Sequence, residues 1–161
     1  VAANGQDTPI LHKETFTRGK GLFAFNAFKE TEEVVSNSEK FPFILTTNRN
    51  LEHYNCGAQT RRTANVEIVT EDVIFIHPDD AAENGIEDTD MVCVESERGK
   101  IAIKAKVSDE IKKGVLSTTF HFPEVLVNNL TSSISDSIAM CPEYKVVSVK
   151  IRKARKLETR V

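Results

Sequence analysis

The sequence predicts a mainly β protein: short strands forming a closed or nearly closed barrel of mixed pairing, with one or two short helices. Three observations carry that prediction. Short runs rich in β-branched residues recur after residue 41, separated by Gly, Pro, Asn and Asp. One run, Lys100–Val107, alternates Ile101, Ile103, Ala105 and Val107 with Lys100, Lys104 and Lys106, which gives one buried and one wet face. The βαβ rhythm that would build a doubly wound parallel sheet is missing. At 161 residues the chain suits one ordinary domain with a real core, and two would be cramped.

Taken in order, residues 1–40 read as an extended lead-in arm. Gly5, Gly19 and Gly21 break its short apolar runs, and GLFAFNAF holds its aromatic cluster. Phe16, Phe23, Phe25 and Phe28 would form an exposed apolar patch unless this domain or a neighbour covers them. Lys29–Lys40 is charged and Ser/Asn-rich, a surface connection. A barrel domain over residues 41–153 opens with a strand at Phe41–Thr46 and continues with strands at Val66–Thr70 and Val73–His77. His77–Gly85 predicts a helix: Pro78 suits its first position, Asp79 and Asp80 its positive end, and Gly85 the left-handed residue after the last turn. Val92–Glu97 and Lys100–Val107 form a hairpin across Arg98–Gly99. Val115–Phe120 follows the turn at Gly114, and Val146–Ile151 completes the set. Residues 154–161 are a basic tail, the end of KIRKARKLETR, read as a solvated chain end. The sequence shows neither an internal repeat nor a low-complexity tract.

Hydrophobic residues at 40%, charged residues at 28% and a formal charge of −3 are globular values that argue against a general nucleic-acid binder. No apolar stretch approaches the roughly 18–20 residues that span a bilayer, and no basic-then-apolar start marks a signal peptide, so a soluble protein is expected. Cys56, Cys93 and Cys141 are widely spaced and form no CxxC pair, which supports neither a zinc site nor a disulfide framework. Cys93, inside an alternating apolar run, reads as a small buried hydrophobe. His77 with Asp79 and Asp80 reads as a helix start rather than a metal site.

The segment that points to chemistry is LTTNRNLEHYNCGAQTRR, Leu45 to Arg62, where strand-like residues stop at a loop with three arginines and a histidine. Arg49, Arg61 and Arg62 offer guanidinium forks that pair bidentately with phosphate. Thr46, Thr47, His53, Asn55, Gln59 and Thr60 surround them with neutral hydrogen-bonding groups. The same composition also fits solvated arginines in a turn-rich loop.

Four blocks in order, that loop, HPDDAAENGIEDTDMVCVESERGKI, HFPEVLVNNLT and PEYK, resemble the molybdopterin-dinucleotide-binding domain that ends the catalytic chain of formate dehydrogenases and related molybdenum or tungsten oxidoreductases. The resemblance runs from about Thr8 to about Lys153 and includes the lead-in TPILHKETFTRGKGLFAF. It implies a double-psi β-barrel, in which interlocked strands bring two loops together beside the ligand. It also implies a bis(molybdopterin guanine dinucleotide) cofactor, with the metal held by other domains and an iron–sulfur cluster carried only there. Implied partners are upstream domains of the same chain and electron-transfer subunits, with neither nucleic acid nor membrane insertion. A cytoplasmic location is expected, or a periplasmic one if a preceding segment carries an export signal.

Residue by residue, Thr47 and Arg49 match the family's T-x-R at the end of the first barrel strand, meeting the pterin or its phosphates. His53, Tyr54, Asn55, Gln59, Thr60 and Arg61 match the stretch that wraps the same cofactor region, with His53 as a donor to the pterin side. Cys56 departs from the small residue common there. Asn128 matches a cofactor-binding asparagine, whose amide can read donor and acceptor positions of a ring edge. His121 and Phe122 would line the approach, while Tyr144 and Lys145 fall where the family closes over the cofactor. No residue here is expected to be catalytic, and the separated domain should not turn over. Alternatives are the equivalent domain of a nitrate reductase or formylmethanofuran dehydrogenase, or a non-enzymatic double-psi barrel that docks a protein partner.

Overall fold

The β-branched runs become six strands: β1 (Phe43–Thr47), β2 (Val73–Ile76), β3 (Met91–Glu95), β4 (Lys100–Val107), β5 (Val115–Thr118) and β6 (Val147–Lys153). The structure is a computed structural model that describes residues 10 and 12–155; the start of the arm, with Gly5 and Thr8, and the end of the basic tail lie outside the described residues. The strands close in the order β1-β5-β2-β4-β3-β6, and β6 returns to β1. Closure leaves no free edge. Leu45, Ile74, Ile76, Val92, Val94, Ile103, Leu116, Val147 and Val149 fill the centre at 0–1% exposure, and the alternation read in β4 holds, with Ile101, Ile103 and Ala105 buried. Cys93 is buried as expected. No helix among the described residues is long and apolar enough to cross a membrane.

β1–β5 and β2–β4 pair in parallel and the other four neighbours are antiparallel. Exchanging β1, β2 and β3 with β4, β5 and β6 maps β1–β5 onto β2–β4 and β1–β6 onto β3–β4, and β2–β5 and β3–β6 onto themselves, the interlocked arrangement of a double-psi barrel. Single bonds obey the exchange too. Past β1, Asn48 N–H donates to Thr118 C=O at 2.9 Å, and past β4, Ser108 N–H donates to Ile76 C=O at 3.0 Å. Asp72, just before β2, accepts from Phe122 N–H at 2.9 Å; Asp80, in the equivalent of the Phe122 position, accepts from Gly114 N–H, just before β5, at 2.7 Å. A side chain and a backbone group have traded roles across the pseudo-axis, so the repeat is invisible in sequence.

The topology sorts the connections. Parallel β1 and β5 end side by side at one rim and send out the two long connections, residues 48–72 and 119–146. The 96–99 hairpin meets the same rim because Glu95 opposes Lys100 there. The opposite rim carries the shorter connections 77–90 and 108–114.

Among the described residues three α-helices complete the fold: α1 (Glu32–Asn37), α2 (Asn65–Ile68) and α3 (Pro78–Glu83). α3 is the predicted helix, with His77 Nδ1 accepting from Asp79 N–H and Gly85 at φ +63° after its end. Val66–Thr70, expected as a strand, instead holds the single turn of α2. The closed barrel offers this run no edge to join, and Asn65 Nδ2 donates to Glu52 C=O at 2.7 Å, which folds the segment back on its own loop.

The second correction lies in the supposed surface connection, which contains α1. Thr31 caps this helix by accepting from Glu33 N–H, and Glu33 itself is 0% exposed. Its carboxylate takes both Arg98 terminal nitrogens, at 3.0 and 2.8 Å, and Ser148 N–H at 3.0 Å. One charge therefore ties the lead-in helix to the β3–β4 hairpin and to β6. Before α1, residues 12–30 form no regular element, and Leu22, Phe23, Phe25 and Phe28 are 92–101% exposed.

Removing one member of a buried pair strands the other, at a cost of about 3–5 kcal/mol. Arg98→Ala is expected to lower stability by that order in urea denaturation, and Glu33→Gln by less, because an amide still accepts from Ser148 N–H. Equal midpoints for wild type and Arg98→Ala would show that the clasp is not formed in solution.

Candidate functional site

Each cofactor-binding residue expected from the sequence lies at the end of β1 or in the long connections 48–72 and 119–146. Thr47, buried at the end of β1, donates its hydroxyl to Tyr144 C=O at 3.3 Å, and Lys145 Nζ donates to Thr47 C=O. These contacts stitch the strand that enters the arginine loop to the segment that leads into β6. Beside them, Asn48 Nδ2 donates to Ser117 Oγ at 2.7 Å, and Thr31 donates to the Glu143 carboxylate.

The arginine loop is folded over two buried imidazoles. His121, 0% exposed, accepts from Asn50 N–H at Nε2 (3.1 Å) and donates from Nδ1 to Asn55 C=O (2.7 Å). His53, 2% exposed, is the opposite tautomer: Nε2 donates to Val69 C=O and Nδ1 accepts from the Thr60 hydroxyl, both at 2.9 Å. Phe122 meets His53 edge-on at 5.2 Å. The buried Asp72 carboxylate fixes the whole post-β5 turn, accepting from the Thr119 hydroxyl and from the N–H groups of His121 and Phe122. His53 thus spends both ring nitrogens on the protein, where a donor facing the ligand was expected. His121 and Phe122, expected to line the approach, lie beneath it and fasten the loop. Asn55 adopts φ +49° to present its carbonyl to His121. At Gly57, φ +68°, a Cβ would stand 2.6 Å from His121 O and 2.7 Å from Arg61 Cδ.

What remains turned outward is cationic and amide-rich. Arg49 is exposed, its guanidinium 5.8 Å from the centre of the Phe120 ring. Arg62, also exposed, ends the 3-10 turn Thr60–Arg62. Among the described residues neither has a carboxylate within ion-pairing distance. Arg61 is different: Nη2 meets Glu124 Oε1 at 2.5 Å, and the guanidinium lies 4.8 Å from the Phe122 ring centre. Its Nε is buried and unpartnered, alone in this among side-chain polar atoms of the described residues. Tyr54 donates to Gln59 Oε1, and both side chains face outward. Asn128 lies in the 3-10 turn Val127–Leu130 with its side chain exposed. That turn is pressed by the hairpin so closely that a Cβ on Gly99 would stand 2.8 Å from Asn129 O.

Glu33, Asp72 and Glu124, the carboxylates that organise this rim, went unread in the sequence, since an acid beside a strand or in a loop carries no local signal of burial or of its partner. Large exposed apolar side chains also gather here. Leu51, Tyr54 and Ile68 come from one long connection and Leu126, Ile138, Met140 and Tyr144 from the other. The rest lie in residues 10–28 and at Val35; none lies between Val73 and Val125 among the described residues. One rim is apolar, cationic and unfinished, while the barrel wall and far rim are not.

The family model described as Molydopterin dinucleotide binding domain matches residues 43–148. The chain belongs to this family. It is 42% identical over 153 residues to the F420-dependent formate dehydrogenase subunit alpha of Methanocaldococcus jannaschii, covering 93% of this chain and 22% of that protein. It is 31% identical over 148 residues to formate dehydrogenase H of Escherichia coli, covering 91% and 21%. The assimilatory nitrate reductase catalytic subunit of Bacillus subtilis is 36% identical over 113 residues, covering 69% and 16%. Acetylene hydratase from Pelobacter acetylenicus superposes with a TM-score of 0.67 over 80% of this chain and 21% of that one, at 14% identity, a likeness of fold. The domain is thus a molybdopterin dinucleotide-binding domain similar to those of formate dehydrogenase alpha subunits. It spans about a fifth of the length of these curated relatives.

Gly57→Ala places a side chain where φ and two contacts forbid one, and is expected to destabilise by about 1–3 kcal/mol. Hydrogen exchange should quicken in residues 48–62 while β4 and β6 stay protected. Unchanged exchange in the loop would mean that it does not need this close approach to His121.

Proposed function

We propose that this chain is the cofactor-holding domain of a formate dehydrogenase-like molybdenum or tungsten enzyme that oxidises formate to carbon dioxide. One observation carries the assignment to this rim: two guanidinium groups, Arg49 and Arg62, stand at one barrel end without a protein counter-charge among the described residues, beside a third whose Nε is buried and unsatisfied. A buried donor without an acceptor costs about 1–3 kcal/mol, which a bound anion would recover. The donor set fits a dinucleotide. Guanidinium forks suit a diphosphate, and the exposed amides of Asn128 and Gln59 suit the mixed donor and acceptor edge of a fused heterocycle.

In this reading Arg49 neutralises phosphate charge, assisted by Arg62 and Lys145. Thr47, Tyr54, Asn55, Thr60 and Tyr144 shape the cradle, and the buried His53 sets its loop. The bis(molybdopterin guanine dinucleotide) and its metal, held in other domains, supply the electron chemistry when bound; this chain contributes position and electrostatics. Upstream domains of the same polypeptide cover the apolar rim and the Phe arm, an iron–sulfur cluster resides in those domains, and electron-transfer subunits accept the electrons. The isolated domain does not turn over. The similarity to F420-dependent and other formate dehydrogenase chains over more than nine-tenths of this chain supports this assignment. A nitrate reductase domain is the second reading, supported by the Bacillus subtilis relative.

In the assembled enzyme, Arg49→Ala is expected to lower co-purifying guanine nucleotide and metal at least tenfold, about 1.4 kcal/mol, with the fold intact by circular dichroism. Unchanged contents would remove Arg49 from the site. A protein-docking barrel would instead carry no guanine nucleotide and would bind a partner in a salt-sensitive way. For the arm, the 161-residue chain alone should bind an apolar dye or self-associate, and a dye-free monomer would show that the arm needs no cover.

A further inference from the structure

We propose that Glu124 is an internal counter-anion that holds Arg61 while the site is empty and yields it to the anionic group of the ligand. The proposal rests on the dinucleotide reading above and adds a residue that controls how tightly the site takes its anion.

Arg61 is fixed from two sides. Its stem lies against Gly57, where a Cβ would come within 2.8 Å of Arg61 Cγ, and its guanidinium lies over Phe122, which is 5% exposed. The guanidinium therefore stays in place whatever its acid partner does. Glu124 is held far less: its side chain is 64% exposed, and among the described residues Arg61 is its only side-chain partner. The contact uses one nitrogen, Nη2, and leaves the buried Nε without an acceptor. A carboxylate satisfied with Arg61 as a permanent structural partner would be expected to take both nitrogens of the fork, as Glu33 takes both terminal nitrogens of Arg98. A phosphate oxygen pair can engage Nε and Nη2 together. Exposed ion pairs are worth roughly 0.2–1 kcal/mol, so an anion that makes the bidentate contact outcompetes Glu124.

The carboxyl of Glu124 is held below the usual carboxylate range by its own backbone N–H and then by Arg61, so it is a charged competitor at neutral pH. The pair borders a cleft of about 300 Å³ with Thr70, Lys104 and Val125 among its walls, which leaves room for the displaced carboxylate. With the site empty, Glu124 cancels a charge that would otherwise sit unpaired on an apolar ring and attract stray anions.

The test is a calorimetric titration of the 161-residue chain with inorganic pyrophosphate, comparing wild type, Glu124→Gln, Arg49→Ala and the double variant Arg61→Met/Glu124→Gln. The closed barrel has its own core, and Glu124 is an exposed loop residue, so Glu124→Gln should melt as wild type does. Glu124→Gln is expected to bind pyrophosphate about tenfold more tightly, with the gain lost in the double variant. An unchanged or weaker affinity in Glu124→Gln, or no pyrophosphate binding by either protein, overturns the proposal. A gain that survives in the double variant also overturns it, because the gain then does not pass through Arg61. Arg49→Ala separates the two readings. If it weakens binding while Glu124→Gln gains nothing, only the counter-anion role fails; if it leaves binding intact while Glu124→Gln gains through Arg61, Glu124 keeps its role and the Arg49-centred site fails.

Discussion

Closure of six strands into one barrel is the constraint on which the rest of this structure depends. Each strand finds two neighbours, so no backbone edge is left for a further strand, and β1 and β5 are made to end together in parallel. That single pairing puts the beginnings of both long connections at one rim. Residues distant in sequence, such as Thr47, Thr118, Asn128 and Tyr144, share that rim because of hydrogen-bond topology rather than any local preference. The pseudo-twofold order of the strands doubles the argument, since the opposite rim is built by the equivalent pair β2 and β4 and carries only short connections. One architecture thus makes two similar ends, and loop length tells them apart.

Within the rim there is a division between groups committed to the fold and groups left exposed. Asp72, His53, His121 and Phe122 are buried and spend their hydrogen bonds on the backbone of the two connections. Such fully satisfied buried networks rigidify a loop at the cost of offering nothing to a ligand. Outside them stand Arg49, Arg62 and Asn128, exposed and uncommitted. Arg61 stands between the classes, packed like a committed group yet incompletely bonded, which is why its acid partner is the interesting one. A preorganised cationic surface of this kind suits a cofactor whose chemistry is its own and whose protein must supply placement and charge balance.

The lead-in segment belongs to this scheme more closely than a flexible arm would. Glu33, carried on α1, reaches the hairpin that presses on the 3-10 turn bearing Asn128, and Thr31 reaches Glu143 beside Tyr144. The chain before α1 shows the opposite character, with four large apolar side chains almost fully in solvent. Together with the apolar side chains of the rim, these residues leave a large apolar area in solvent, and the chain spans about a fifth of the length of its relatives.

Much of this was legible from the residues in order. Period-two alternation in Lys100–Val107, the β-branched runs and the Pro78 to Gly85 punctuation are local signals, because side-chain direction in a strand and backbone freedom at a helix end depend on near neighbours. The ordered blocks likewise marked the family, whose model matches residues 43–148. Local signal misled at Val66–Thr70, where β-branched residues could not join a barrel already closed, and at Lys29–Lys40, where charge concealed a buried glutamate. The role of His53 had the same fate, since both its ring nitrogens are spent on the protein. A histidine or arginine looks identical in sequence whether it faces a ligand or a carbonyl, and its partners, Val69, Asn55, Phe122 and Glu124, are chosen only when the connections are folded against each other. Composition and periodicity determined the barrel strands, α3 and which chemical groups are present. Which of those groups stay free to meet a ligand was decided by long-range packing, because a polar group is committed or available only according to what stands within hydrogen-bonding distance of it.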